Sequence, residues 1–318
     1  MIAQLRPLCK AKSTDLVDLH LSLSAGQNKP DAAGQHPAAL NDLLYADHLL
    51  LITTVITRLK AAGCVVQMNL KGLLAELGTT GAMPDGRVRY ASRVDFFKLL
   101  GLDLLENFSR RPGKDRFIEI THYNRDNYFD VGKKIIQVVA AHARVDRAVQ
   151  QMLDFCLFEI MDNVLIHAAY PQTLGGQGWC SAQYFPAAQS IRLMIADTGI
   201  GIHRALTRHP NSKYQQLTAY QALTQCVQKG VTNGEGMGFG LYATLQFARQ
   251  NQGEMLIYSG EYYGTLKEGR YLVKKGAYWQ GTLVFLNIRT NVPIDYKTFM
   301  SENQCLAEDF DFIHGQSS

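Results

Sequence analysis

Apolar and polar residues follow patterns that predict strands and helices in the first third of the chain. The patterns from Leu16 to Ser24 and from Cys64 to Leu70 favour two strands. Between them, apolar residues recur at helical spacing from Ala38 to Ala62, and Gly63 follows as a helix end. A further helix is predicted from Tyr90 to Leu100. Strand, helix, strand and helix in this order indicate a small α/β domain.

A linker then leads into a second region of the chain. Residues 107–115 (NFSRRPGKD) have the polar, Pro- and Gly-containing composition of a linker. Beyond it, the apolar pattern predicts a strand from Phe117 to His122 and helices from Asp130 to Ala141 and from about Val145 to Ala169. We therefore predict two domains and a C-terminal tail, which are residues 1–115, 116–300 and 301–318.

Three polar residues recur at four-residue spacing on the helix that reads FEIMDNVLIHAAY. Glu159, Asn163 and His167 therefore lie along one side of this helix. A carboxylate and an amide one turn apart suit a hydrated magnesium ion, because Asn supplies a neutral oxygen ligand and the carboxylate orients or deprotonates water. Taken alone, the same spacing is also typical of a solvent-facing polar stripe.

A second motif lies at the end of a predicted strand in IRLMIADTGIGI. The apolar run ends in Asp197, and Gly199 and Gly201 follow it closely. Such a strand end places one fixed acceptor at the base of a pocket, while the glycines let the backbone approach a ligand. Taken alone, the motif is equally typical of a turn.

A third motif, GVTNGEGMGFGLYATLQFARQ, is a loop that runs straight into an apolar helix beginning near Leu241. Its glycines are Gly234, Gly236, Gly238 and Gly240. The backbone amides of such a loop, with the positive end of the following helix, bind phosphate oxygens. The loop is not a Walker A motif, because no Lys-Ser or Lys-Thr pair follows it, and it is not a dinucleotide fingerprint, because no strand leads directly into it.

In this order, the three motifs resemble the N, G1 and G2 boxes of the GHKL family, the ATP-binding domains shared by DNA gyrase, the large heat-shock chaperone, histidine kinases and the mismatch-repair ATPase. The resemblance covers about residues 130–290, and a Gly281-Thr282 pair before the apolar strand Leu283 to Ile288 adds to it. It implies an α+β fold class, with a two-layer α/β sandwich (the Bergerat fold) as the C-terminal domain. It also implies ATP and Mg²⁺ as cofactors.

By this resemblance, the first motif supplies the catalytic residue, Glu159, and two cofactor-binding residues, Asn163 and His167. Glu159 matches the family's general base or water-orienting acid, and Asn163 matches its magnesium-binding Asn. His167 occupies a position that is often His or Lys in histidine kinases. We therefore expect phosphate chemistry beside this helix.

By the same resemblance, the other two motifs bind the nucleotide. Asp197 would accept a hydrogen bond from the adenine amino group, Gly199 and Gly201 would shape the adenine pocket, and Thr282 would lie beside the nucleotide. The glycines expected to wrap the phosphates are Gly236, Gly238 and Gly240. Residues 203–232 correspond to the family's mobile ATP lid. We expect few contacts to hold the polar stretch from His203 to Gly240 in the empty protein.

The N-terminal region is similar to STAS-type domains, which precede such an ATPase domain in some bacterial proteins. The strands near Val17 to Leu23 and Val65 to Leu70, the long helix between them, and the phrase YASRVDFFKLLGL at 90–102 carry this likeness. Phosphorylated STAS domains have a Ser at the start of the long helix. Here that neighbourhood reads LLYADHLLL, so the likeness is to a degenerate STAS domain without that phospho-switch.

Composition narrows the class of protein. Of the 318 residues, 47% are hydrophobic and 19% are charged, which excludes a mainly disordered chain. The net charge of +4 comes from scattered Lys and Arg, which favours a solvated surface over a nucleic-acid interface. The six cysteines form no C-x-x-C pair, and neither a signal peptide nor an apolar run of about eighteen residues is found. These features predict a cytoplasmic protein with reduced thiols and no membrane segment.

Two functions stay open on the sequence. The first is an enzyme that binds Mg-ATP and hydrolyses it or transfers its γ-phosphate to a protein partner, including a Ser or Thr kinase like the anti-sigma-factor relatives. A self-phosphorylating histidine kinase is not favoured, because the H-box residues are missing around His20, His36, His48 and His122. The second is a non-hydrolysing ATP-dependent switch that recruits a protein through its N-terminal domain or lid. Glu159 favours the enzyme, and the oligomeric state is left open, a homo-oligomer included.

Overall fold

The computed structural model describes residues 16–20, 45–69, 86–102, 106, 108–110, 113, 115–143, 147–167, 176–208, 212–232 and 238–294. The chain divides into two compact units, one up to position 112 and the other from position 113. None of the helices formed by the described residues is long and apolar enough to cross a lipid bilayer.

In its described part, the first unit contains a pair of strands and three helices. These are β1 (Leu16–His20), α1 (Ala46–Ala61), β2 (Val65–Asn69), α2 (Gly86–Arg93) and α3 (Phe96–Leu99). The two strands pair in parallel, with Leu16 opposite Val65, and parallel neighbours require a long connection such as the one that contains α1. Within the described residues, the predicted strand, helix and strand are confirmed; the parts of the prediction that fall in 21–44 and at position 70 lie outside them.

The predicted helix from Tyr90 to Leu100 is wrong as a single helix. Asp95 separates α2 from α3, and its φ of 62° lies in the left-handed region, which a continuous helix does not allow. Arg110 stabilises this break, because its Nη1 donates to Asp95 Oδ1 at 2.6 Å and its Nη2 donates to the Ser92 carbonyl at 3.0 Å. Apolar spacing continues across the break, so the hydrophobic pattern does not reveal it.

The second unit combines a sheet with a layer of helices. Its elements are β3 (Phe117–Tyr123), α4 (Tyr128–His142), α5 (Arg147–His167), β4 (Gly178–Phe185), β5 (Ser190–Ala196), α6 (Gly201–Thr207), α7 (Ala219–Gln225), α8 (Gly240–Gln250), β6 (Glu254–Lys267) and β7 (Arg270–Arg289). The five strands form one antiparallel sheet in the order β3-β4-β5-β7-β6. This mixed arrangement agrees with the predicted α+β class.

One apolar core joins the sheet to the helices. Helix α5 packs against α4, α8, β4 and β5. Alternate residues of the central strands belong to the same buried cluster as the apolar side of α5, which is expected because successive side chains of a strand point to opposite faces. Examples are Leu193, Ile195, Val284, Leu286, Leu157 and Ile160. These contacts fix the position of α5 against β4 and β5.

Strands β6 and β7 extend beyond the rest of the sheet. β5 pairs with β7 only from Leu283 to Arg289, whereas the β6–β7 pairing continues to a tight turn at Glu268 and Gly269, both of which have positive φ. Residues 260–279 therefore form a two-stranded extension, called here the hairpin arm. The apolar pattern predicts only the strand from Leu283 to Ile288, because Tyr, Lys and Gly interrupt the apolar residues of the arm.

Candidate functional site

A cleft of about 160 Å³ lies between α5, the ends of β5 and β7, and the segment that connects β5 to α8. Most of the site residues predicted from the sequence line it, namely Glu159, Asn163, His167, Asp197, Gly201, Gly238, Gly240 and Thr282. Gly199 lies in the turn that follows Asp197, where its N–H contacts the aspartate side chain. Gly236 lies outside the described residues. The fold therefore brings three motifs that are distant in the sequence to one cleft.

The polar side of α5 forms one wall of the cleft. Glu159, Asp162, Asn163 and His167 all line it, while Met161 on the apolar side of the helix is fully buried. Burial raises the pKa of Glu159 above its ordinary value, and the negative charge of Asp162 raises it further. Sequence reasoning missed Asp162, although it adjoins Asn163 in the first motif. The wall thus presents two carboxylates and an amide within about one helical turn.

Glu159 lies against the first turn of α8. A Cβ atom at Gly240 would be 2.5 Å from the Glu159 Cβ and 3.0 Å from its Oε2, so the close approach of the two helices requires glycine at this position. Helix α8 begins without a side-chain N-cap and without an acidic residue in its first turn. Gly240 and Leu241 line the cleft. The positive end of the α8 dipole therefore provides a place for an anion next to a carboxylate.

Asp197 is buried where β5 ends, with only 3% of its surface exposed. Its backbone N–H donates to the Thr282 carbonyl on β7 at 2.8 Å, and its Oδ1 accepts from the Gly199 N–H at 2.7 Å. Burial raises the pKa of Asp197 to about 7, against the opposite effect of backbone hydrogen bonds from Gly199 and Thr282. The arrangement gives the cleft a fixed acceptor whose charge is sensitive to pH near neutrality.

Two glycines bring backbone into close contact around Asp197. Gly281 has a φ of 93°, and Gly201 has a φ of 76°; both values are in the region that favours glycine. A Cβ atom at Gly201 would be 2.7 Å from the Ser259 Oγ. The Ser259 hydroxyl connects Gly281 to the start of α6, because it accepts from the Ile202 N–H at 2.9 Å and donates to the Gly281 carbonyl at 2.9 Å. Sequence reasoning missed Ser259, which is buried on β6 outside every motif.

A second connection that sequence reasoning missed supports the turn after Asp197. The Gln280 Nε2 donates to the Gly199 carbonyl, and the Gln280 Oε1 accepts from the Tyr278 hydroxyl at 2.5 Å. Both side chains come from β7, just before the Gly281-Thr282 pair. The sequence gives no indication that these two residues reach the turn, because only the pairing of the strands brings them there.

The segment between the second and third motifs contains two helices that are packed into the core. Leu206 of α6 and Leu223 of α7 are buried, and so is Cys226 directly after α7. The lid predicted for residues 203–232 is therefore not a weakly held segment throughout, and the expectation of few contacts is wrong for these two helices. Cys226, Val231 and Thr232 line the cleft, so this segment forms its second wall.

The described residues contain no group of three or more His, Cys, Asp or Glu side chains placed to bind a metal ion. The wall formed by Glu159, Asp162 and Asn163 nevertheless offers oxygen atoms, which are the ligands that Mg²⁺ prefers. In nucleotide sites this ion is usually bound by one or two protein oxygen ligands together with phosphates and water. The side chains present therefore fit Mg²⁺ bound together with a nucleotide.

A comparison with protein families agrees with this geometry. Residues 148–276 match the family described as histidine kinase-, DNA gyrase B-, and HSP90-like ATPase. This match supports a GHKL ATP-binding domain. The matched segment includes Glu159, Asn163, Asp197 and Gly240, and it ends before Thr282. A search of curated proteins found no match to the chain, and the STAS-like character of the first unit stays a prediction.

Proposed function

We propose that this protein binds Mg-ATP in the cleft and either hydrolyses it or transfers its γ-phosphate to a protein partner. The observation that carries this proposal is the position of Glu159 against the N-terminus of α8, in the same cleft as the buried carboxyl group of Asp197. The cleft thus combines a carboxylate, an anion site and a fixed hydrogen-bond acceptor. An attack on a phosphate needs a nucleotide held in position, which the acceptor and the anion site would provide. It also needs an activated attacking group, which the carboxylate would provide.

The adenine amino group is assigned to Asp197. A buried, fixed acceptor selects a donor strongly, because a ligand without that donor leaves the acceptor unpaired. Gly201 and Thr282 line the cleft around this acceptor, and Gly199 donates to it. We assign these residues to the adenine pocket.

The phosphates are assigned to the N-terminal end of α8. Gly238 and Gly240 line the cleft there, and Gly238 has a φ of 71° that favours glycine. Backbone amides at such a helix start bind phosphate oxygens without a cationic side chain. Gly236, outside the described residues, is proposed to act with them.

Glu159 is proposed as the base or water-orienting residue, and Asn163 as the protein ligand of Mg²⁺, with His167 close by on the same side of α5. When bound, the ion supplies positive charge that offsets the charge of the phosphates. Glu159 would accept the proton of the attacking water or hydroxyl group at its carboxylate oxygen. The raised pKa of Glu159 makes it a stronger base than an exposed glutamate.

The identity of the attacking group decides between the enzymatic alternatives. Water gives an ATPase, and a Ser or Thr hydroxyl of a partner gives a protein kinase. We propose that a partner is recruited through the first unit or through the segment between β5 and α8. The parallel β1–β2 pair with α1 between the strands supports a STAS-like assignment for the first unit, and a homo-oligomer is among the assemblies to be tested.

Incubation of the purified protein with γ-labelled ATP, with and without cell extract, tests the proposal. Labelled phosphate released by the protein alone indicates hydrolysis, and label on a protein of the extract indicates transfer. Glu159→Gln in both reactions serves as the control for contaminating activity. Tight ATP binding without either product would favour the switch, and no ATP binding at all would overturn the proposal.

A further inference from the structure

The hairpin arm contacts helix α7 through a tyrosine that crosses its neighbouring strand. Tyr271 is on β7, opposite Leu266 of β6, and its ring passes over Gly264. A Cβ atom at Gly264 would collide with the Tyr271 hydroxyl and ring. The Tyr271 hydroxyl then donates to the Leu223 carbonyl of α7 at 3.2 Å. The missing side chain at Gly264 is therefore what allows Tyr271 to reach the helix.

The Leu223 carbonyl lies in the last turn of α7, where carbonyls lack intrahelical N–H partners. It accepts from the Tyr271 hydroxyl and also from the Cys226 thiol at 3.3 Å. A second aromatic contact supports the same helix, because the rings of Tyr220 and Tyr262 meet edge to face with centroids 5.9 Å apart. The arm thus contacts α7 near its start through Tyr262 and fixes its C-terminal end through Tyr271.

The residues that follow α7 connect it to the cleft. Cys226 and Val231 line the cleft. Gly238 packs on Val231, since a Cβ atom at Gly238 would be 2.6 Å from the Val231 carbonyl oxygen, and the Gly238 carbonyl accepts from the Gly230 N–H at 3.2 Å. Gly238 therefore rests on a segment whose start is fixed by Tyr271.

We propose that Tyr271 is a positioning residue for phosphate binding: through the end of α7 and Val231 it holds Gly238 in place at the start of α8. This inference rests on the proposed function, in which Gly238 and Gly240 contact the phosphates. Tyr271 is at the tip of the arm and contacts no reacting group in this scheme. Its effect should therefore be confined to the phosphate part of the ligand, and the adenine pocket at Asp197 should be unaffected.

The test compares the affinities of Tyr271→Phe and the wild type for adenosine and for a non-hydrolysable ATP analogue with Mg²⁺. Loss of one hydrogen bond of ordinary strength should weaken binding of the analogue about three- to tenfold, while adenosine binds equally. General damage to the fold would weaken both ligands. Tyr263→Phe is the matched control, because Tyr263 is also in the arm but its ring stacks on Tyr258 of β6. We expect this variant to bind both ligands as the wild type does.

Gly264→Ala provides a second variant that leaves Tyr271 in the sequence and displaces its ring. We expect the same selective loss, together with faster hydrogen exchange in residues 226–232 for both Tyr271→Phe and Gly264→Ala. Equal affinity of wild type and Tyr271→Phe for the analogue, with unchanged exchange, would overturn the inference and leave the proposed function intact. A wild-type protein that binds neither ligand would overturn the proposed function itself.

Discussion

Gly281 and Asp197 are in such close contact that a Cβ atom at position 281 would be 2.5 Å from the Asp197 Oδ1. Asp197 directly follows β5, and Gly281 is on the neighbouring strand β7. The Asp197 N–H donates to the carbonyl of Thr282, the residue after Gly281. The Asp197 carboxyl group therefore packs directly against the backbone of β7 at Gly281. Any side chain at position 281 must move that carboxyl group.

Gly281→Ala should weaken ATP binding at least tenfold, because the added methyl group displaces the acceptor. The φ of 93° adds a backbone cost of about 1 to 2 kcal/mol to folding. Gly269→Ala is the matched control, since Gly269 has a φ of 75° and nothing within 4 Å of its Cβ position. Calorimetric titration and denaturant unfolding of both variants separate the two effects. If Gly281→Ala bound ATP as tightly as the wild type, the contact between Gly281 and Asp197 would be excluded as a requirement for binding.

Asp197→Asn should abolish ATP binding although the protein folds. The Asn carbonyl can still accept from the Gly199 N–H, but its amide group presents a donor where the adenine amino group needs an acceptor. The mismatch should cost about 2 to 4 kcal/mol of binding free energy. Titration with a non-hydrolysable ATP analogue measures it, and an affinity within about threefold of the wild type would exclude Asp197 as the adenine acceptor.

Asp197→Asn should make the ligand-free protein more stable than the wild type at neutral pH but not at acid pH. Burial raises the pKa of Asp197 from 3.8 to about 7, so the folded state binds the proton more tightly than the unfolded state. The free energy of unfolding of the wild type is therefore unaffected by this group below about pH 4 and falls as the pH rises from 4 to 7. Above pH 7 it has fallen by about 4 kcal/mol. Asn has no such dependence. Denaturant unfolding at pH 4, 6 and 8 measures the difference in free energy of unfolding between Asp197→Asn and the wild type. We expect this difference to grow with pH, and a constant difference would contradict the prediction.

Several features of the cleft could be predicted from the sequence because they are local. Glu159, Asn163 and His167 share a helix side through four-residue spacing alone, and they line one wall together. Asp197 follows an apolar run that is a strand, and Gly240 begins a helix. Helix and strand periodicity fix such relations over one or two turns, whatever the rest of the fold does.

The supporting residues could not be predicted, because their roles depend on strand pairing. Ser259 and Gln280 reach the turn after Asp197 only through the register of β6, β7 and β5. Tyr271 reaches α7 only because Gly264, on the neighbouring strand, leaves space for its ring. The polarity of the segment after Asp197 predicts that it is weakly held, but its helices pack in the core through Leu206 and Leu223. Tertiary contacts of this kind leave no periodic pattern in the sequence.

Glu159 is the proposed base, and Asp162 places a negative charge beside it. If the Glu159 carboxylate accepts the proton of the attacking group, Glu159→Gln should lower turnover about a hundredfold or more with little change in ATP affinity, whereas Asn163→Ala should weaken Mg-dependent binding itself.

Turnover of the wild type should fall as the pH drops through the pKa of Glu159, which burial and Asp162 raise above 4.5. Asp162→Asn removes a negative neighbour, lowers that pKa, and should move the fall to lower pH. Single-turnover rates across pH, with binding of labelled ATP to each variant, distinguish these effects; full turnover in Glu159→Gln, or an acid limb that Asp162→Asn leaves in place, would exclude Glu159 as the base.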